Sequence, residues 1–314
     1  MLAESRHVVP GSSKDVPAWL MPWPGHTGNW GRWPNLRGAL NLVTPDVVRS
    51  ALETVQLGEV ISCARPVRFI DPLRPGPAGG VRMIPSLYKP TSRYNALGDE
   101  ITIRTHGVIN THIDAFSHAG YDGKAFDGLD YGDVITMEQG ALQLDVAGHG
   151  PIVTRAIIAD VARSRGVACL RPGEWVVPAD IEQAARRVLP GDAFVIRTGV
   201  TLEPGLAPDD VSGHHGTLAG VHWDCLELLA RKDIAVFATD CGADVYPGPP
   251  DKPVNSPIHM LCLVMYGIPI VHNMDLERLA ERCAAEARDT FMFSVAGLNV
   301  PRATGSPVTP FAIL

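Results

Sequence analysis

The sequence predicts a single α/β domain with a mainly buried sheet, preceded by an irregular N-terminal arm. Three observations carry that expectation. Helix-like and strand-like segments alternate through the second half of the chain, as they do in α/β folds. The strand-like segments are short apolar runs bounded by turn residues, the pattern of strands covered on both faces. The first 36 residues are rich in Pro, Gly and Trp and lack periodicity, so they predict no packed element.

Taken in order, residues 1–36 form the expected arm and residues 37–314 the expected domain. Trp19, Trp23, Trp30 and Trp33 each carry a large apolar area, so the arm is expected to lie against its own domain or a neighbouring subunit. A homodimer or homotetramer is expected. Thr44 and Pro45 supply an N-cap and first-turn residue for a helix over 44–55. A second helix is expected over 179–188, with Asp180 near its start, and a third over 221–231. The last spans 275–288, with Asp275 as N-cap and Leu276, Leu279, Ala280 and Cys283 at helical spacing. Strands are expected at 157–158, 193–196, 234–237, 268–271 and 291–295.

Composition narrows the function classes. A chain of 314 residues with 46% hydrophobic and 19% charged residues can bury a full core. Its net charge of −7, spread without basic blocks, argues against nucleic acid and leaves a small molecule as the expected partner. The apolar run 260–271 is broken by Gly267 and Pro269 and falls short of the roughly 20 residues a membrane span requires. The N-terminus lacks the layout of a secretory signal, and the six cysteines are scattered without a CxxC pair. Together these predict a cytoplasmic protein with reduced thiols.

The densest group of potential metal ligands is His106, His112, Asp114 and His118. If residues 111–114 are extended, His112 and Asp114 point to one face, because side chains two apart in a strand share a side. One imidazole and one carboxylate on one face suit a divalent ion such as zinc or manganese, which lowers the pKa of a bound water. His118 is a candidate general base or further ligand. Each histidine also has a structural reading, as a hydrogen-bonded core residue, and it is the grouping that points to a site.

The stretch 111–118, Thr-His-Ile-Asp-Ala-Phe-Ser-His, resembles the signature of the cyclase family, which includes bacterial kynurenine formamidase and isatin hydrolase and is commonly written HxGTHxDxPxH. The resemblance continues through Gly191-Asp192 with Ile196-Arg197-Thr198-Gly199, Ala238-Thr239-Asp240, Pro257-Ile258-His259, and Thr304-Gly305-Ser306-Pro307-Val308. In the N-terminal part, 29–33 (NWGRW) and 40–45 (LNLVTP) look like a long-armed branch of the family. The resemblance implies metal-activated hydrolysis of an amide, lactam or related acyl bond, in a compact α/β fold around a mixed, barrel-like sheet flanked by helices. By position it implies His112, Asp114 and His259 as metal ligands and His118 as the catalytic histidine.

The match departs from the pattern in four places. The first histidine of the family falls on Val108, the glycine on Asn110 and the proline on Phe116, and the downstream acidic ligand falls near His272. His106 is the candidate replacement for the first ligand if its loop bulges, and His272 for the acidic one. Trp30, Trp33, Arg197, Phe116 and His215 are the candidate substrate contacts. Arg197 could clamp a carboxylate or form a structural ion pair. Asp240 and Asp244 could orient a ligand histidine or merely form turns. Two other readings stand beside hydrolysis: a tailoring cyclase, dehydratase or other lyase, with or without metal, and a non-catalytic small-molecule binding protein.

Overall fold

The computed structural model describes residues 28–67, 79–85, 89, 91, 93–200, 219–245 and 256–314. Trp19, Trp23, His214 and His215 lie outside the described residues. Fifteen strands occur among those described. They are β1 (Val60–Ser62), β2 (Gly79–Pro85), β3 (Leu97–Ile103), β4 (His112–Asp114), β5 (Ile135–Thr136), β6 (Gly140–Ala141), β7 (Ile152–Asp160) and β8 (Trp175–Val176). The remainder are β9 (Ala193–Arg197), β10 (Gly220–Val221), β11 (Val236–Thr239), β12 (Ile270–His272), β13 (Thr290–Val295), β14 (Gly305–Pro307) and β15 (Phe311–Ile313).

Nine of these make one curled half-barrel sheet in the order β1-β15-β13-β7-β9-β11-β12-β4-β14. Its centre, β7-β9-β11-β12, is parallel, and the strands outside it pair antiparallel, so the sheet is mixed. Along β9 the residues alternate between two apolar clusters: Phe194 and Ile196 enter one, Ala193 and Val195 the other. Both faces are covered, which is why these strands read as unbroken apolar runs.

The four expected helices are found at Pro45–Glu53, Pro178–Ala185, Asp224–Ala230 and Glu277–Ala285. Thr44 Oγ1 accepts the Val47 N–H at 3.3 Å, and Pro45 occupies the first helical position. The last helix starts later than expected. Its N-cap is Leu276, and Asp275 accepts the Glu277 N–H from just outside. The strand expected at 234–237 begins at Val236, because the Ala235 N–H is drawn to the Asp192 carbonyl before the ladder starts.

One helix had no sequence expectation. Pro257–His259 is α-helical and passes into a π-helix over Met260–Tyr266, every residue of which is buried. A helix buried all round has no polar face, and so no 3.6-residue pattern to detect. A π-helix leaves its last carbonyls without partners, and the N-terminal segment supplies them. Trp30 Nε1–H donates to the Val264 carbonyl (2.7 Å), the Asn29 backbone N–H to Met265 (3.0 Å) and Asn29 Nδ2 to Tyr266 (2.8 Å). Arg32 ties the same segment to Asp233 by a bidentate pair at 2.6 and 2.9 Å. Residues 29–32 therefore act as a strap over the helix that starts beside His259. Among the described residues, no helix is long and apolar enough to cross a membrane.

Candidate metal centre

β4 lies between β12 and β14, near one end of the sheet. Its register with β12 sets His272 opposite His112 and Ile270 opposite Asp114, and its register with β14 sets Gly305 opposite Asp114. His112 and Asp114 share a face, and the His112 and His272 rings stack with centroids 4.8 Å apart. The 3-10 turn Phe116–His118 then carries His118 back toward the same place, where its ring stacks on that of His106 at 3.7 Å.

His106 arrives by a bent loop over residues 106–110. Gly107 has φ +123°, a conformation that only glycine adopts readily. Arg65 and Asn273 pin this loop. Arg65 donates its N–H to Thr111 Oγ1 (2.9 Å) and its guanidinium to the carbonyls of Val108 (3.2 Å) and Asp240 (2.5 Å). Asn273 Nδ2 donates to the carbonyls of Gly107 (2.7 Å) and Asn110 (3.0 Å). Val108 is turned toward Gly242.

Five imidazoles thus surround one fully buried carboxylate. Asp114 Oδ1 lies 2.8 Å from His106 Nδ1 and Oδ2 lies 2.7 Å from His272 Nε2, both hydrogen-bond distances. The other two contacts differ. His112 Nδ1–H donates to the Asn110 carbonyl at 2.8 Å, which leaves a lone pair on Nε2, 3.5 Å from Asp114 Oδ1. His259 Nδ1–H donates to Asp244, which leaves Nε2 facing Asp114 Oδ2 at 3.5 Å. Two imidazole nitrogens, His112 Nε2 and His259 Nε2, thus face a carboxylate at a distance too long for a hydrogen bond. Such a donor set could hold a cation.

The electrostatics agree with that donor set. Burial pushes the His112 imidazolium down to about 3 and the His118 imidazolium down to about 4, and it lowers His272, so these rings are neutral near pH 7. Burial opposes ionisation of Asp114, but attraction to His272 and His118 and the hydrogen bonds from His106 and His272 outweigh it and hold the carboxyl well below the usual range. Burial also lowers His259, yet the Asp244 hydrogen bond and charge outweigh it and raise its proton affinity. One ionised carboxylate among imidazoles of which His112, His118 and His272 are neutral can hold a divalent ion. Donor atoms of His106, His112 and Asp114 lie within 4.8 Å of one another, and so do those of Asp114, His118 and His259. Side chains of His112, Asp114 and His272 are closed off, whereas His106 and His259 are 29% and 21% exposed. The centre opens on that side.

Several expected substrate contacts sit elsewhere. Phe116 is fully buried against Phe126 and the ring of His149, so it presents no surface to a ligand. Trp30 is spent on the π-helix. Trp33 is partly buried against the core, with the Arg32 guanidinium 4.6 Å over its ring. Arg197 takes the structural alternative, held by Asp160 (2.6 Å) and by both oxygens of Glu277 (3.0 and 2.6 Å). Asp244 orients His259, while Asp240 accepts the N–H groups of Thr198 and Gly199 and the Thr198 hydroxyl. Arg65, Asn273 and Thr304 were not expected. Arg65 carries no local signal, and Thr304 belongs to a motif to which no role was attached.

His149 lies outside the cluster, with both ring nitrogens buried and without a partner among the described residues. Burial pushes it down to about 4 from its ordinary 6.5. Its neutral form therefore supports the fold fully above pH 6.5. As pH falls toward 4, the unfolded chain takes up a proton that the folded chain refuses, costing about 1.4 kcal/mol per pH unit. Urea denaturation of His149→Phe across this window is expected to give a shallower acid loss than the parent; equal slopes would contradict the assignment.

The half-barrel, with an imidazole–carboxylate centre near one end of its sheet, defines the class as a mixed α/β protein with a candidate metal centre. Residues 12–243 match the putative cyclase family, and the chain belongs to that family. A crystal structure of a novel cyclase is similar over 91% of this chain and 99% of its own, at 26% identity and a TM-score of 0.78. An isatin hydrolase bound to the product analogue thioisatinate is similar over 86% of this chain and 99% of its own (16% identity, TM-score 0.54). Isatin hydrolase A from Labrenzia aggregata, bound to benzyl benzoate, is similar over 83% and 94% (16%, 0.52). At such identity the last two speak for the fold. No curated protein matches the chain.

Proposed function

We propose that this protein is a divalent-metal-dependent hydrolase of an amide, lactam or related acyl bond in a small molecule. The observation that carries the reading is the pair of ring nitrogens, His112 Nε2 and His259 Nε2, each 3.5 Å from an oxygen of Asp114. His112, Asp114 and His259 would hold the ion, with His106 and His272 beside them. A zinc or manganese ion there supplies Lewis acidity to an acyl carbonyl and acidity to a water.

The chain's own residues do the rest. The His118 ring is neutral at physiological pH, so it can take a proton from water and return it to the leaving group. The negative charge of Asp114 favours the imidazolium formed in between. Asp244 fixes the tautomer and plane of His259. The buried side, closed by His112 and His272, keeps bulk water away, and substrate enters past His106 and His259. The similarity to isatin hydrolases supports a lactam as the first substrate class to test.

The test is turnover of amide, lactam, lactone and ester panels, including isatin, by protein stripped with chelator and by protein reloaded with zinc or manganese. Activity that is lost on stripping and regained on reloading is expected. Full activity in protein shown by elemental analysis to be metal-free would favour the lyase reading, and binding without turnover the binding-protein reading.

A further inference from the structure

Thr304 precedes the Gly-Ser-Pro-Val turn and has no part in the mechanism above. Its hydroxyl lies 2.9 Å from His106 Nε2, while Nδ1 of the same ring lies 2.8 Å from Asp114 Oδ1. A carboxylate, an imidazole and a hydroxyl are thereby joined in one chain. Thr304 is itself anchored to β4, because its carbonyl accepts the Ala115 N–H at 2.9 Å. The next residue leaves room for the ring: a Cβ on Gly305 would stand 2.7 Å from His106 Cε1 and 2.7 Å from the Ile113 carbonyl oxygen. Stacking on His118 holds the other face of the His106 ring.

The geometry points to Thr304 as a positioning residue that fixes the plane of His106 and serves both of its neutral tautomers. A neutral imidazole carries one N–H. With that proton on Nδ1, the ring donates to Asp114, and Nε2 accepts from the Thr304 hydroxyl. With the proton on Nε2, the ring donates to Thr304 Oγ1, and Nδ1 is free to offer its lone pair to a cation beside Asp114. A hydroxyl both donates and accepts by turning about its C–O bond, whereas a carbonyl or carboxylate in its place would only accept. Exchange between the two tautomers moves one proton from one ring nitrogen to the other and creates no charge. Only the consequence for metal affinity rests on the proposed metal-dependent function; the positioning of His106 stands apart from it.

The experiment compares the full-length parent, Thr304→Val, Thr304→Ser and Thr304→Ala, all labelled with 15N-histidine. Imidazole nitrogen shifts are read without metal, and zinc affinity is read by competition with a chromophoric chelator. Valine keeps the volume and removes the hydroxyl. It is expected to shift Nε2, which loses its hydroxyl partner, while Nδ1 stays protonated against Asp114, and to weaken zinc binding about 10- to 100-fold, the usual effect of losing a partner to a metal-site histidine. Serine is expected to restore both. If the valine variant fails to fold, the serine and alanine variants carry the same contrast. Unchanged His106 shifts in Thr304→Val, or in Thr304→Ala in its stead, overturn the proposal, and so does a serine variant as disturbed as alanine. A parent that binds no zinc, with His106 shifts that still respond to Thr304, would defeat the metal-dependent function and leave this positioning role standing.

Discussion

Asp114→Ala is expected to lose stoichiometric metal and to lower kcat/KM by about 10³-fold or more, at least about 4 kcal/mol of transition-state stabilisation. This carboxylate is the one group that all the other candidate ligands face, through its contacts to His106, His112, His259 and His272. Its removal takes away the negative charge at the centre of those imidazoles and leaves only Asp244, on the far nitrogen of His259, among the described residues. It also strands the buried Nε2 of His272, a cost of about 1–3 kcal/mol for an unpaired group. Asp114→Asn separates the two effects, because it keeps volume and some hydrogen bonding but no charge. Elemental analysis and steady-state kinetics on both variants, with folding checked by circular dichroism, decide the matter. Metal and turnover retained in the folded alanine variant would sink the assignment.

Trp30→Ala is expected to cost about 3–5 kcal/mol of stability, the range for truncating a large buried aromatic. The side chain is 8% exposed, and its loss both opens a cavity and leaves the Val264 carbonyl without the indole donor. Trp30→Phe keeps much of the packing and loses that hydrogen bond, so a cost of about 1–3 kcal/mol is expected. Urea midpoints at constant slope read both values. A change below about 1 kcal/mol in the alanine variant would mean that the strap does not hold the π-helix.

The histidines around Asp114 were reached by different routes, and the difference explains how much of the centre was legible. His112 and Asp114 are two residues apart in a short strand, and strand geometry alone puts them on one face. His118 follows within one tight turn. His272 is 158 residues from Asp114 in sequence and reaches it because β12 pairs antiparallel with β4 in one particular register. A slip by one residue would turn its ring to the opposite face. His106 needed a loop bent at Gly107 and held by Arg65 and Asn273, contacts that no spacing announces.

By itself, then, the sequence determined the α/β class, the four helices with polar faces, the apolar strands and the His112–Asp114–His118 unit. Each of these depends on periodicity, caps or separations of a few residues, where local stereochemistry dominates. The resemblance of its ordered motifs added the family and His259. Only the tertiary structure decided the rest: the order of the nine strands, the buried π-helix and its strap of residues 29–32, and the roles of Arg197 and Asp244. It also decided which ring nitrogens face Asp114. Those depend on pairing register and on which donor finds which buried acceptor, and such choices are made between segments far apart in the chain, where burial penalises every polar group left unpaired.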